Sequence, residues 1–227
     1  MNSKFFLKLF ALIVIVYFAG MALQSETLML VFKPLLITSL LAYFVSATAG
    51  VRSNLKVLMA FALFFSIAGD TLLMFANKNE LFFLLGLSAF LIAHIFYIIC
   101  FHKIKTRENV EGKWQWAVVV AIYYFFIISI LMPHLGELKI PVLVYGLVIS
   151  FMLLVAMLLY DLEDNKTARY ILTGALLFVL SDSVLAINKF HRPIAIGGWL
   201  IMLTYVSAQY LLVKGLIRYL TKPVQNL

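Results

Sequence analysis

Two aspartates offer the clearest chemistry in this sequence. Of its ten acidic residues, Glu26, Glu80, Glu108, Glu111, Glu137, Asp161, Glu163 and Asp164 fall in polar connections or at the ends of apolar blocks. Asp70 and Asp182 lie within apolar blocks, flanked by Leu, Phe, Ile and Val. A charge at the centre of a membrane-crossing helix costs at least about 2.5–3.5 kcal/mol, so such a residue faces a protein interior or a wet cavity. Two carboxyls sharing an apolar site do not both ionise, and a protonated acid beside a carboxylate is the equipment of acid–base hydrolysis. The same pair would also serve a proton relay. The plainer role is packing, with each Asp bonding a Ser, Thr, Tyr or Lys on a neighbouring helix.

Other polar residues recur at helical spacing. Gly86, Phe90, His94 and Tyr97 are separated by four, four and three positions and share one helix face. Gly198, Tyr205 and Gln209 follow at seven and four. His94 suits a proton relay or the orientation of a carboxyl, and equally a buried histidine bonded to the next helix. It lies about 20 Å from the outer end of its helix, whereas the two aspartates lie roughly 8–9 Å below theirs. Tyr205 and Gln209 suit interhelical bonding or contact with a polar head group. Lys33, paired with Pro34 where the second block opens, either snorkels to the interface or turns inward to a phosphate or an aspartate. Asp161 to Asp164 reads as a solvated loop. Trp114, Trp116, Trp199, Tyr123 and Tyr124 read as interfacial belts, or as packing if buried deeper. There is no G-x-S-x-G, no H-E-x-x-H and no phosphate loop. One histidine with two distant acids is a weak metal set, so neither a metal nor an organic cofactor is expected.

The elements that must position these groups follow from composition. The 227 residues are 64% hydrophobic and 12% charged, against roughly 45–50% and 25% in soluble domains. The apolar residues arrive in blocks of about twenty, enough for a helix to cross a hydrocarbon core of about 30 Å. Eight blocks are marked: Phe5–Gln24, Leu28–Ala49, Lys56–Ala76, Leu81–Phe101, Trp116–Met132, Ile140–Tyr160, Ala168–Ile187 and Ile194–Arg218. They are continuous rather than alternating, which disfavours a membrane barrel. The expected fold is therefore all-α, a polytopic transmembrane bundle of about eight helices forming a single integral membrane domain over residues 1–227. A soluble Rossmann or barrel enzyme and a disulfide scaffold are ruled out, the lone cysteine being Cys100. The first block, basic at its start, reads as a span and not as a removed leader.

The net charge of +8 reflects topology and anionic lipid, not nucleic acid. The N-terminus, the even-numbered loops and the tail carry thirteen of the 18 Lys and Arg residues. Lys33, Lys78, Lys139, Lys189 and Arg192 complete the count. The positive-inside rule then puts both termini in the cytoplasm. At an offset of 112, Gly69-Asp70-Thr71 falls on Ser181-Asp182-Ser183, Leu73 on Leu185, Gly86 on Gly198 and Leu91 on Leu203. A four-plus-four parallel repeat would make the third and seventh helices equivalent, and such repeats often frame a central site. On that expectation a wet pocket lies between those two helices.

These residues, taken in order, resemble the YhhN-like membrane proteins, the family that includes the lysoplasmalogenases. Gly69-Asp70, Leu72-Leu73, Phe83, Gly86-Leu87, Phe90, His94 and Tyr97 resemble its first signature. Ser181-Asp182, Tyr205 and Ala208-Gln209 resemble its second, and Lys33-Pro34 its early lysine–proline pair. The resemblance implies an eight-helix fold and hydrolysis of the vinyl ether bond of a lysophospholipid, releasing a fatty aldehyde and glycerophospho-ethanolamine or -choline. It would make Asp70 and Asp182 the catalytic pair. Lys33, His94, Tyr97, Ser181, Tyr205 and Gln209 would bind substrate or orient the carboxyls, in a bacterial-type inner membrane. Two other classes fit the same residues: a small proton-coupled transporter, and a non-catalytic lipid-binding or assembly protein. Eight spans without a matched pair of helix-breaking Gly/Pro sites offer little support for alternating access.

Overall fold

The computed structural model describes residues 3–222, and every described element is helical. The helices are α1 (Ser3–Ala22), α2 (Glu26–Ala47), α3 (Asn54–Leu73), α4 (Glu80–Arg107), α5 (Gln115–Leu131), α6 (Lys139–Leu158), α7 (Asn165–Ala186) and α8 (Gly197–Thr221). All eight, among the described residues, are long and apolar enough to cross a membrane. The expected all-α class and span count therefore hold.

Helix boundaries follow local chemistry that apolar blocks do not encode. Ser25 and Ser53 cap α2 and α3, their hydroxyls accepting from the backbone N–H of Leu28 and Leu55. Between α1 and α2, Gln24 takes a left-handed φ of 52°, and the Ser25 N–H closes the turn on the Gly20 carbonyl. The fourth apolar block ends at Phe101, but α4 runs on through His102, Lys103 and Lys105 to Arg107. Its basic last turn suits the negative end of the helix dipole. Asn109, at φ 49°, then breaks it, as asparagine does more readily than most residues. α3 stops at Leu73, before Ala76, and α7 passes into one π-helical turn, Ile187–His191. α8 begins at Gly197 and not at Ile194, because the Asn188 side chain accepts from the Ile194 N–H at 2.7 Å and holds a turn there.

The chain forms two compact units. One comprises the residues up to Phe96 and those from Val213 onward, and the other comprises Tyr97–Leu212. In the first, α1 packs on α2 and α2 on α3. Phe96 of α4 stacks on Phe61 and Phe65 of α3, with ring centroids 5.3 and 5.8 Å away. Gly69 admits the Phe90 ring so closely that a Cβ there would sit 2.5 Å from a ring carbon. In the second, α6 packs against both α5 and α7. The Ser181 hydroxyl of α7 donates to the Ile201 carbonyl of α8 at 3.0 Å, and Leu212 of α8 seats on Gly174. The Lys113–Asp161 ion pair clasps two loops at 2.6 Å, but both side chains are about half exposed, so it adds little.

Each unit thus uses the residue before its aspartate as a helix contact: Gly69 against Phe90, and Ser181 against Ile201. At the offset of 112, Gly69 maps to Ser181 and Ala89, the neighbour of Phe90, to Ile201. The two contacts are therefore one residue out of step at this offset, since Phe90 itself maps to Met202. Gly174 gives a direct check. A Cβ there would lie 2.8 Å from Leu212 Cδ2 and 3.1 Å from the Ala208 carbonyl oxygen. Gly174→Val should cost about 1–3 kcal/mol by overpacking, read as a lower melting temperature in detergent; an unchanged melt would refute the close α7–α8 contact.

Candidate active site

Asp182 stands in the last turn of α7, four residues before Ala186. It is half-buried, and Tyr145 of α6 donates a hydrogen bond from its phenol to Asp182 Oδ2. Next to it on α7, Ser183 shares a 2.7 Å hydrogen bond with the Tyr123 hydroxyl of α5 and also donates to the Val179 carbonyl. Asp182 lies close enough to both tyrosines to interact with them electrostatically. Three helices therefore converge on one carboxyl with two phenols and a hydroxyl. Buried hydroxyls need such partners, and a donor to a carboxyl orients it as well as satisfying it.

Asp70 is more enclosed. It is 3% exposed, three residues before the end of α3 at Leu73. Buried Tyr17 of α1 lies close enough to interact electrostatically with it. Counted from α-helix ends, the two aspartates lie three and four residues in, nearer than the six and five expected from block ends. Both still occupy a last turn. Asp70 belongs to the first unit and Asp182 to the second.

Three of the other residues singled out in the sequence are brought together in the second unit. The Tyr97 hydroxyl donates to Gln209 Oε1 at 2.6 Å, and Gln209 Nε2 reaches the Tyr205 hydroxyl at 3.4 Å. Phe178 of α7 lies edge-on to both tyrosine rings. All three polar side chains are almost fully buried. Tyr97 and Gln209 are 112 residues apart, the same offset that sets Asp70 on Asp182 in the sequence. His94 is fully buried in the first unit, turned toward the backbone of Phe90 one turn earlier. Ser181 is committed to the Ile201 carbonyl. Lys33 does not open its helix: it is half-buried seven residues into α2, beside Pro34.

The structure adds Tyr145, Tyr123, Ser183 and Tyr17, none of which the sequence had assigned to a site. For Tyr123 and Tyr124 the sequence allows either an interfacial belt or packing. Their hydroxyls are bonded inside the second unit, to Ser183 and to the Leu143 carbonyl. Trp114, by contrast, is exposed. The available signal was that a tyrosine deep in an apolar span usually finds a polar partner, but Tyr145 and Asp182 are 37 residues apart and no spacing rule joins them. Among the described residues, no group of three or more His, Cys, Asp or Glu is gathered for a metal ion.

Eight apolar helices with hydrogen-bonded carboxyl and phenol groups inside them define an integral, multi-pass membrane protein. Its sequence matches the YhhN family over residues 28–216, and the chain belongs to that family. It is 31% identical over 158 residues to human lysoplasmalogenase TMEM86B, covering 69% of this chain and 62% of that protein. To human lysoplasmalogenase TMEM86A it is 31% identical over 170 residues, 72% of this chain and 66% of the relative. To the lysoplasmalogenase of Mycobacterium tuberculosis it is 33% identical over 161 residues, 68% and 58% respectively. The matched region thus spans about three fifths of the length of these relatives. No solved structure gives a significant match.

The buried Tyr97–Gln209 bond can be weighed directly. Tyr97→Phe should cost about 1–3 kcal/mol, because a buried amide oxygen loses a phenol donor. The measurement is thermal unfolding in detergent, and a melt equal to the wild type would show the bond to be energetically idle.

Proposed function

We propose that this protein is a lysoplasmalogenase-like hydrolase that cleaves the vinyl ether bond of a membrane lysophospholipid. The observation carrying this reading is that Asp70 and Asp182 sit in the last turns of apolar helices, in a family whose relatives bear the name lysoplasmalogenase. The products are a fatty aldehyde and glycerophospho-ethanolamine or -choline. The protein acts with both termini in the cytoplasm, in a bacterial-type inner membrane.

Acid–base chemistry by the two aspartates meets the needs of this reaction. The protonated aspartate gives its proton to the β carbon of the vinyl ether, which becomes an oxocarbenium ion. The ionised aspartate stabilises that cation, the electrostatic logic of an oxyanion hole with the sign reversed. Water adds at the α carbon and yields a proton to the ionised aspartate. The hemiacetal then gives its hydroxyl proton to the first aspartate as its carbon–oxygen bond to glycerol breaks, and the glycerol oxygen takes up the proton held by the second. One water is consumed, one aldehyde and one alcohol are released, and the pair returns to its starting charge. His94, Tyr97, Tyr205 and Gln209 orient the carboxyls or the glycerol hydroxyl, and Lys33 meets the phosphate. Ser181 supports the site by fixing α7 to α8.

The test uses full-length protein in detergent with lysoplasmalogen and an assay for aldehyde. Asp70→Asn and Asp182→Asn should each lower release by about 100-fold or more, the scale of general acid–base catalysis, while the melting temperature stays near wild type. Undiminished release by both folded variants would refute the mechanism. Lack of turnover by the wild type across lysophospholipid head groups would refute the assignment.

A further inference from the structure

Two histidines outside the carboxyl cluster are brought together by the fold. His134 ends the short 3-10 turn, Met132–His134, that follows α5. His191 ends the π-helical turn, Ile187–His191, that follows α7. Both belong to the second unit, where the π-helical turn packs on α5. Their imidazole rings lie 4.8 Å apart between centroids and are inclined at 74°. We propose that His134 and His191 form a two-histidine site for a divalent transition-metal ion of the zinc or copper class, which clips the turn after α5 to the turn after α7. The site goes beyond the hydrolase reading and does not depend on it.

The spacing suits such an ion. Two imidazoles that ligate one ion at about 2.0–2.1 Å have ring centres about 5 Å apart. The terminal torsion of histidine is broad, so both rings can turn a nitrogen toward one ion while the backbone stays in place. The rings are also available. Both histidines are exposed, and among the described residues neither imidazole holds a hydrogen bond. Local backbone geometry brings them to each other. The Arg192 N–H bonds the Ile187 carbonyl at 3.0 Å and closes the π turn. Such a turn holds one residue more than an α turn, so His191 leaves α7 on a bearing that an unbroken α-helix would not give. Charge then selects the ion. These turns and the residues beside them carry exposed Glu137, Lys189 and Arg192. One acid against two bases is the reverse of the oxygen-rich cage that calcium or magnesium takes. Imidazole nitrogen suits zinc, copper and nickel, with water completing the shell.

The experiment uses the full chain without a histidine tag, stripped with a chelator and held in detergent. Cu2+ is titrated in and followed by electron paramagnetic resonance, and Zn2+ is added in thermal melts. One Cu2+ per chain with two nitrogen ligands is expected, together with a melting temperature that Zn2+ raises by mass action. His134→Ala and His191→Ala should each weaken Cu2+ binding by more than about tenfold, since even an outer-shell partner is worth about 10–100-fold. Each should also lose the Zn2+ shift. His102→Ala, at an exposed position on α4, should leave both readouts at wild-type values. A wild-type spectrum with a single nitrogen ligand, or no Zn2+ shift in the wild type, would overturn the proposal whether or not the variants fold. So would wild-type Cu2+ affinity in either folded single variant, or an equal loss in His102→Ala.

Discussion

The cost of placing a carboxyl among apolar helices organises this molecule. Water is scarce there, so each polar group must be satisfied by protein or by a hydrated cavity. The chain meets this demand locally and repeatedly. Asp182 takes a phenol from α6, Ser183 shares a bond with α5, and Ser181 reaches an α8 carbonyl. Three consecutive residues of α7 thus bond to three different helices. A turn of helix sends successive side chains about 100° apart, so a run of Ser-Asp-Ser can address three helices at once. Without those bonds the run would be among the costliest stretches of the span.

The same constraint explains why small residues flank the polar ones. Hydrogen bonds between helices require close backbones, and close backbones require glycine or serine where the helices touch. Gly69 leaves room for the Phe90 ring and Gly174 for Leu212. In lipid the hydrophobic effect does little to press helices together, so these fits and the buried bonds carry the association. Tyr97 and Gln209 illustrate it, their buried bond joining α4 to α8.

Much of this could be read directly from the chain. The eight apolar blocks predict eight spans because a membrane imposes one length on every helix, and Asp70 and Asp182 stand out because charge is rare at such depth. Tyr97, Tyr205 and Gln209 were singled out by helical spacing, and the structure joins them. Helix ends were less legible. Hydropathy reports where lipid would be tolerated, whereas α4 runs on past its apolar block and α8 starts late because of caps, dipole and an Asn188 turn. Lys33, expected where its span opens, lies two turns further in, since the helix begins at the Ser25 cap.

What the sequence determined by itself is the class of the protein, its spans and the two acids that distinguish it. Each of these follows from residue type and periodicity along one helix. Only the tertiary structure decided which side chain meets which: that Tyr145 and not a nearer residue bonds Asp182, that Ser181 is spent on α8, and that Tyr123 is tied to Ser183 rather than lying free in a belt. The reason is physical. Periodicity fixes the face of a helix on which a residue lies, but the partner it meets depends on how neighbouring helices are rotated and crossed, and that is settled by packing among residues far apart in the chain.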